Sequence, residues 1–213
     1  VRAREEPARV RVERLFSDAG VSPDRVVPIA ASLQTPYFGL DADAYARLCA
    51  NVATVIHCAS TVNLAIDHAH MMDWALDGVR PILRFCRDAQ ADLRFSSSTS
   101  VFPETGGPYP EGPAEMSERL SGYGSAKVAV EAEICGAGLS ATIVRLPSMY
   151  DLDRPNDADL FEIVLRESAG LGAVPNKMQF PMGDVDAAVM FLCTTSARGA
   201  AAEFFNFVPS QHV

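Results

Sequence analysis

Apolar residues in this chain fall into short continuous runs separated by longer amphipathic stretches, and the two patterns predict alternating strands and helices. A first helix is expected over residues 5–19, with acids at its start, Pro7 tolerated in its first turn and Gly20 as its stop. Residues 25–30 (Arg-Val-Val-Pro-Ile-Ala) read as a short strand, and Pro36 and Gly39 punctuate the loop after it. Asp41 or Asp43 caps a helix reaching about Asn51. Residues 54–59 are apolar almost throughout, as expected for a strand covered on both faces. A long helix follows from about His68 to Ala89, interrupted or kinked near Pro81, and residues 93–97 form the next strand.

A loop rich in Pro and Gly occupies residues 102–116 and reads as an exposed lid or edge. The remaining expectations are a helix from Tyr123 to about Cys135, a buried strand over 141–145, and an irregular segment over 147–157. Helices over 159–169 and 184–195 and a last strand over 204–208 complete the chain. Alternation of this kind implies an α/β fold, a parallel sheet wrapped by helices, whose ligands bind at the carboxyl ends of the strands. Cys58-Ala59, Ser98 and Pro147-Ser148 all fall at such ends.

Composition narrows the partners more than it changes the fold. The 213 residues suffice for one domain, or a domain with a small lobe, and at 48% hydrophobic residues they can bury a sizeable core. A formal charge of −9 argues against nucleic acid or an anionic membrane as partner. The five cysteines show no C-x-x-C and no regular spacing, which suits a reducing cytosol rather than a disulfide framework or zinc site. No run is long enough to span a membrane and no signal peptide opens the sequence, so a cytoplasmic protein is expected.

The candidate chemistry lies in Ser96-Ser97-Ser98-Thr99-Ser100-Val101-Phe102 and in Tyr123-Gly-Ser-Ala-Lys127. Residues four apart share a helix face, so the Lys127 ammonium can lie beneath the Tyr123 phenol and lower its ordinary pKa of about 10. The pair is then a proton donor and acceptor near neutral pH, and Ser98 at the strand mouth can hold a substrate oxygen against the phenol. Only two lysines accompany five tyrosines and sixteen arginines. Chance alone gives such a spacing roughly 5 times in 100. The bland alternative makes Tyr123 a helix cap and Lys127 a solvated charge. Asp67-His68-Ala69-His70 does not make a metal site, because an i, i+2 pair does not share a helix face and no third ligand is evident; a capped helix start explains it. Phe204, Phe205 and Phe207 could line an acyl pocket, but read more simply as core.

These motifs resemble those of extended short-chain dehydrogenases/reductases, and more narrowly the thioester reductase domains that terminate nonribosomal peptide synthetases, polyketide synthases and carboxylic acid reductases. The resemblance covers essentially the whole chain: Val1-Arg2-Ala3, Val27-Pro28-Ile29, Val55-Ile56-His57-Cys58-Ala59 with Val62-Asn63, Gly78, the Ser96–Phe102 cluster, Tyr123-x-x-x-Lys127, and Ile143-Val144-Arg145 with Pro147. It implies a Rossmann-like doubly wound parallel sheet over residues 1–146. Residues 147–213 would be mostly a small C-terminal substrate lobe, with the strand near 204–208 returning to the sheet. It implies Ser98, Tyr123 and Lys127 as the catalytic set and NADPH as cofactor. Arg2 would bind the 2′-phosphate through its guanidinium. Cys58 and Ala59 would lie along the cofactor, Lys127 would hold the nicotinamide ribose, and Pro147 and Ser148 would pass the carboxamide.

The function so implied is reductive release of a carrier-bound acyl or peptidyl thioester as aldehyde or alcohol, with a phosphopantetheinylated carrier domain as partner. Three departures stand out. The first strand and its glycine-rich phosphate loop would precede Val1, so the sequence reads as a fragment. Ser32 stands where the family usually has an acid, and Ala75 where it usually has a helix asparagine. Two alternatives remain open: another extended reductase, epimerase or dehydratase acting on a sugar nucleotide or small carbonyl, and a degenerate module without redox activity, which Ser32 and Ala75 favour.

Overall fold

The computed structural model describes residues 8–18, 20, 22, 25–60, 68–151, 160–173 and 182–208. Four strands form one fully parallel sheet in the order β1 (Thr54–His57), β2 (Asp92–Ser98), β3 (Ala141–Leu146) and β6 (Ala202–Asn206). Two short strands, β4 (Ser148–Tyr150) and β5 (Met182–Asp184), make a separate parallel pair.

The central strand β3 is buried on both faces, as its Ala-Thr-Ile-Val sequence requires. In β2, Leu93, Phe95 and Ser97 are the buried set, and alternate residues turn to the other face. Over the Leu93 and Phe95 face pack α3 (His68–Ala89), through Val79, Ile82, Leu83 and Cys86, and α4 (Gly122–Gly136), through Val130 and Ile134. The opposite face receives α6 (Val185–Thr194). There Arg94 donates to the carbonyls of Leu192 and Cys193, a cation at a helix C-terminus where the dipole favours it. The phenylalanines of β6 divide accordingly: Phe204 packs against the α3–α4 core, whereas Phe205 and Phe207 meet Phe191 of α6.

Of the two caps expected for α2 (Ala42–Asn51), Asp41 takes the role, and Asp184 adds a cap that sequence reading did not assign. Asp41 accepts from the Ala44 amide at 2.7 Å to open α2, and Asp184 accepts from Ala187 to open α6. α1 (Ala8–Asp18) and α5 (Leu160–Leu171) are the other α-helices among the described residues; the expected extensions to residues 5–7, 19 and 159 lie outside them.

Three expectations are corrected. Residues 25–30 form no strand: Val27 is 81% exposed, and no described strand pairs with this segment. Apolar composition alone does not make a strand without a ladder partner, and Pro28 removes one donor. α3 is one helix through Pro81, not two. The proline removes the helical donor of the Asp77 carbonyl, and Asp77 is an exposed residue. The segment after Pro147 begins with β4 rather than irregular chain, and the rest of 152–157 lies outside the described residues. Among the described residues no helix is long and apolar enough to cross a membrane.

Candidate active site

The carboxyl ends of β1, β2 and β3 open beside the first turn of α4. At the end of β2, Ser98 accepts from the Ser100 amide at 3.1 Å and so turns the chain into a single 3-10 turn, Thr99–Val101. Ser121 caps α4 by accepting from the Gly124 amide. The two turns touch: a Cβ at Gly124 would lie 2.1 Å from the Ser100 carbonyl oxygen, a distance no side chain tolerates. Glycine therefore lets the helix start abut the strand end, which brings Tyr123 to Ser98.

The Tyr123 phenol lies near Ser98 and near Ser60, the latter just past β1, and both hydroxyls favour its ionised form. One turn on, Lys127 is only 5% exposed. Its Nζ donates to the Ser96 carbonyl at 3.0 Å and stands 4.8 Å from the Phe95 ring centre and 5.6 Å from that of Tyr123. Burial pulls Lys127 down to about 8, with Glu131 and then Cys58 pulling the other way. Neighbouring His57, buried and stacked on Phe95, is pushed down to about 4 by burial and then by Lys127. The phenol does not fall below its ordinary value as expected. Burial holds Tyr123 above it, and the Ser98 and Ser60 hydroxyls only partly oppose that.

A cavity of about 1540 Å³ runs from Ser32 past Ala59, Ser60 and Ala75 to Tyr123 and Lys127. Ala59, Tyr123 and Lys127 thus share one space, and Ser98 joins it through the phenol. Cys58 is exposed at the end of β1, near enough to Lys127 for each to shift the other. Pro147 and Ser148 lie at the end of β3 and start of β4 and are not among the residues lining the cavity. Arg2, Val62 and Asn63 lie outside the described residues, as does Asp67 of the weighed metal cluster.

Sequence reasoning missed Ser60 and a buried ionic network. Glu131 accepts from Ser97 Oγ at 2.6 Å, from Arg145 Nε at 3.0 Å and from Arg145 Nη2 at 2.7 Å. A signal was present: Tyr123, Lys127 and Glu131 recur every four residues along α4. The expected lid is not free. Arg145 Nη2 donates to Gly112 O at 2.7 Å, and the guanidinium lies 4.8 Å from both the Phe102 and Phe204 ring centres.

The family model described as male sterility protein, an NAD-binding family, matches residues 1–189. The chain belongs to this family. It is 28% identical over 185 residues to the glycine betaine reductase ATRR of Emericella nidulans, covering 78% of this chain and 14% of that protein. It is 27% identical over 166 residues to the isonitrile lipopeptide synthase of Streptomyces coeruleorubidus, covering 73% of this chain and 11% of the synthase. In fold it resembles the terminal R domain from the myxalamid PKS-NRPS biosynthetic pathway, with a TM-score of 0.83 and 23% identity over all of this chain and 59% of that one. The chain thus spans a small part of its curated relatives and about three-fifths of the solved domain. The family's dinucleotide suits the site: a cavity of about 1540 Å³ is lined by a buried ammonium and by a phenol that lies near two serines.

Proposed function

We propose that this chain carries the reducing site of an NADPH-dependent enzyme that releases a carrier-bound acyl or peptidyl thioester as an aldehyde or alcohol. The observation that carries this reading is the Tyr123 phenol beside Ser98 and Ser60, with the ammonium of Lys127 5.6 Å from its ring centre, both lining a cavity of about 1540 Å³. Lys127, Cys58 and Ala59 would hold the nicotinamide half, with Pro147 and Ser148 beyond them. Arg2 would select the 2′-phosphate, since a guanidinium matches that anion in charge and geometry. NADPH, when bound, supplies the hydride.

The residues of the chain do the rest. Ser98 and Tyr123 donate hydrogen bonds to the thioester carbonyl oxygen and stabilise the oxyanion as it forms. Tyr123 passes its proton to that oxygen, giving a thiohemiacetal. On collapse the carbon–sulfur bond breaks, the hydroxyl proton returns to the tyrosinate, and the carrier thiol leaves with a solvent proton. Lys127, charged below about pH 8, stabilises the transient tyrosinate. The partner is a phosphopantetheinylated carrier domain, and five free thiols suit a reducing, cytoplasmic setting.

The test is NADPH consumption by the full-length protein with an acyl-pantetheine thioester, beside Tyr123→Phe. The proposal expects turnover that collapses in the variant. Absence of NADPH binding would overturn it, and turnover of a nucleotide sugar in place of the thioester would move the reading to the epimerase and dehydratase class.

A further inference from the structure

The Glu131–Arg145 pair is poorly explained as a source of stability alone. Arg145 is fully buried and Glu131 nearly so, and a buried ion pair does no better than break even against well-packed apolar side chains. What sets this pair apart is where its hydrogen bonds lead. Glu131 grips Ser97, the residue between Ser96, whose carbonyl holds Lys127, and Ser98. Arg145 grips Gly112 O and reaches Asn206 Oδ1 at 3.4 Å. Asn206 in turn donates its amide to Glu111 at 2.9 Å and its side chain to Tyr109 O at 3.1 Å. Tyr109 stacks on Phe102 at 4.4 Å, and Phe102 lies against the guanidinium. One guanidinium thereby fastens both ends of the loop that leaves the site at Ser98.

We propose that Glu131 and Arg145 are positioning residues that lock the 102–112 loop and the Ser96–Ser98 strand end into one arrangement, and that Glu131 also holds a negative charge one turn behind Lys127. This rests on the reading of Ser98, Tyr123 and Lys127 as the reacting set. Around Lys127 the other groups that titrate are Tyr123 on its own helix, and His57 and Cys58 from β1. Of the groups near Lys127, Glu131 is the first to favour its charged form. Loss of Glu131 therefore moves Lys127 below about 8. Loss of the Asn206 side chain removes its bonds to Tyr109 O and Arg145, loosening the loop near Tyr109, and leaves that charge in place.

The experiment compares full-length wild type with Glu131→Gln, Asn206→Ala and the double variant Glu131→Gln/Arg145→Met, which leaves no orphaned charge if the single buried change prevents folding. Lys127 is titrated by NMR of carbon-labelled lysine, with Lys127→Arg assigning the signal, and loop opening is read by hydrogen exchange. Expected are a lowered Lys127 titration in Glu131→Gln and faster exchange over 102–112 in Asn206→Ala. The double variant should show the faster exchange as well. In each, kcat for the thioester should fall roughly 10- to 100-fold with NADPH affinity little changed, as for a misplaced reacting group. A lowered melting temperature with unaltered Lys127 titration, loop exchange and kcat would overturn the proposal. If wild type itself turns over no thioester, the functional reading fails, while the titration and exchange results still decide whether the pair positions the loop and Lys127.

Discussion

Tyr123, Lys127 and His57 share one small volume, and their protonation follows from how deeply each is buried. The proposed role of Tyr123 predicts that Tyr123→Phe lowers kcat by about 10²–10⁴-fold, the usual worth of a positioned proton donor, and leaves NADPH binding intact in a direct titration. His57 yields a prediction independent of function. Unfolded, it takes a proton near its ordinary 6.5; folded, it resists until about 4. Its contribution to stability is therefore full above pH 6.5 and is lost as the pH falls through about 4, amounting to about 3 kcal/mol. Urea unfolding across that range should show a smaller acid loss in His57→Gln than in wild type; equal losses would mean that His57 is not held neutral by the fold. At this scale sequence spacing placed Lys127 beside the Tyr123 ring because a helix repeat is local information. It misjudged the phenol's shift because desolvation depends on what surrounds the ring, and Phe95 and the β1 end come from distant chain.

Among elements, the contact between α4 and the end of β2 decides whether the site exists. Gly124 is its narrowest point, with backbone on both sides. Gly124→Ala should force α4 away from the Ser98–Ser100 turn, costing about 1–3 kcal/mol as overpacking does, and lowering kcat more than it raises KM. A melting curve and steady-state kinetics on the same variant check both, and a wild-type kcat would show that the turn yields without disturbing Tyr123. The elements that sequence predicted well carry local signals: caps in α2 and α6, a continuous apolar run in β3 and an alternating pattern in β2. Those it missed depend on partners elsewhere: β4 and β5 are three residues each and pair across more than thirty positions, and residues 25–30 look like a strand but find none to pair with among the described residues. The 102–116 segment reads as an exposed lid from its Pro and Gly content, yet it is held by Arg145 and Asn206.

For the molecule as a whole, the cavity beneath the strand ends couples ligand binding to folding. A dinucleotide held there binds the native chain and not the unfolded one, so NADPH at a hundred times its dissociation constant should raise stability by about 2.7 kcal/mol. NADH should stabilise less at equal concentration if Arg2 reads the 2′-phosphate, and a differential scanning comparison of the two settles that preference. The overall architecture was legible because alternating strands and helices leave few parallel arrangements. The cavity's extent was not, since its walls come from Ser32, Ala75 and Tyr123, residues distant in sequence.

The fastening of the loop by Asn206 has a consequence for how the protein is made. Ser98, Tyr123 and Lys127 emerge from the ribosome within thirty residues of one another and can fold as a local unit. Tyr109 and Glu111 must wait 97 and 95 residues for the strand that anchors them. Pairing across such separations forms late. A nascent chain thus holds the proposed reacting groups before the framework that fixes them, and the loop is fastened only when β6 docks.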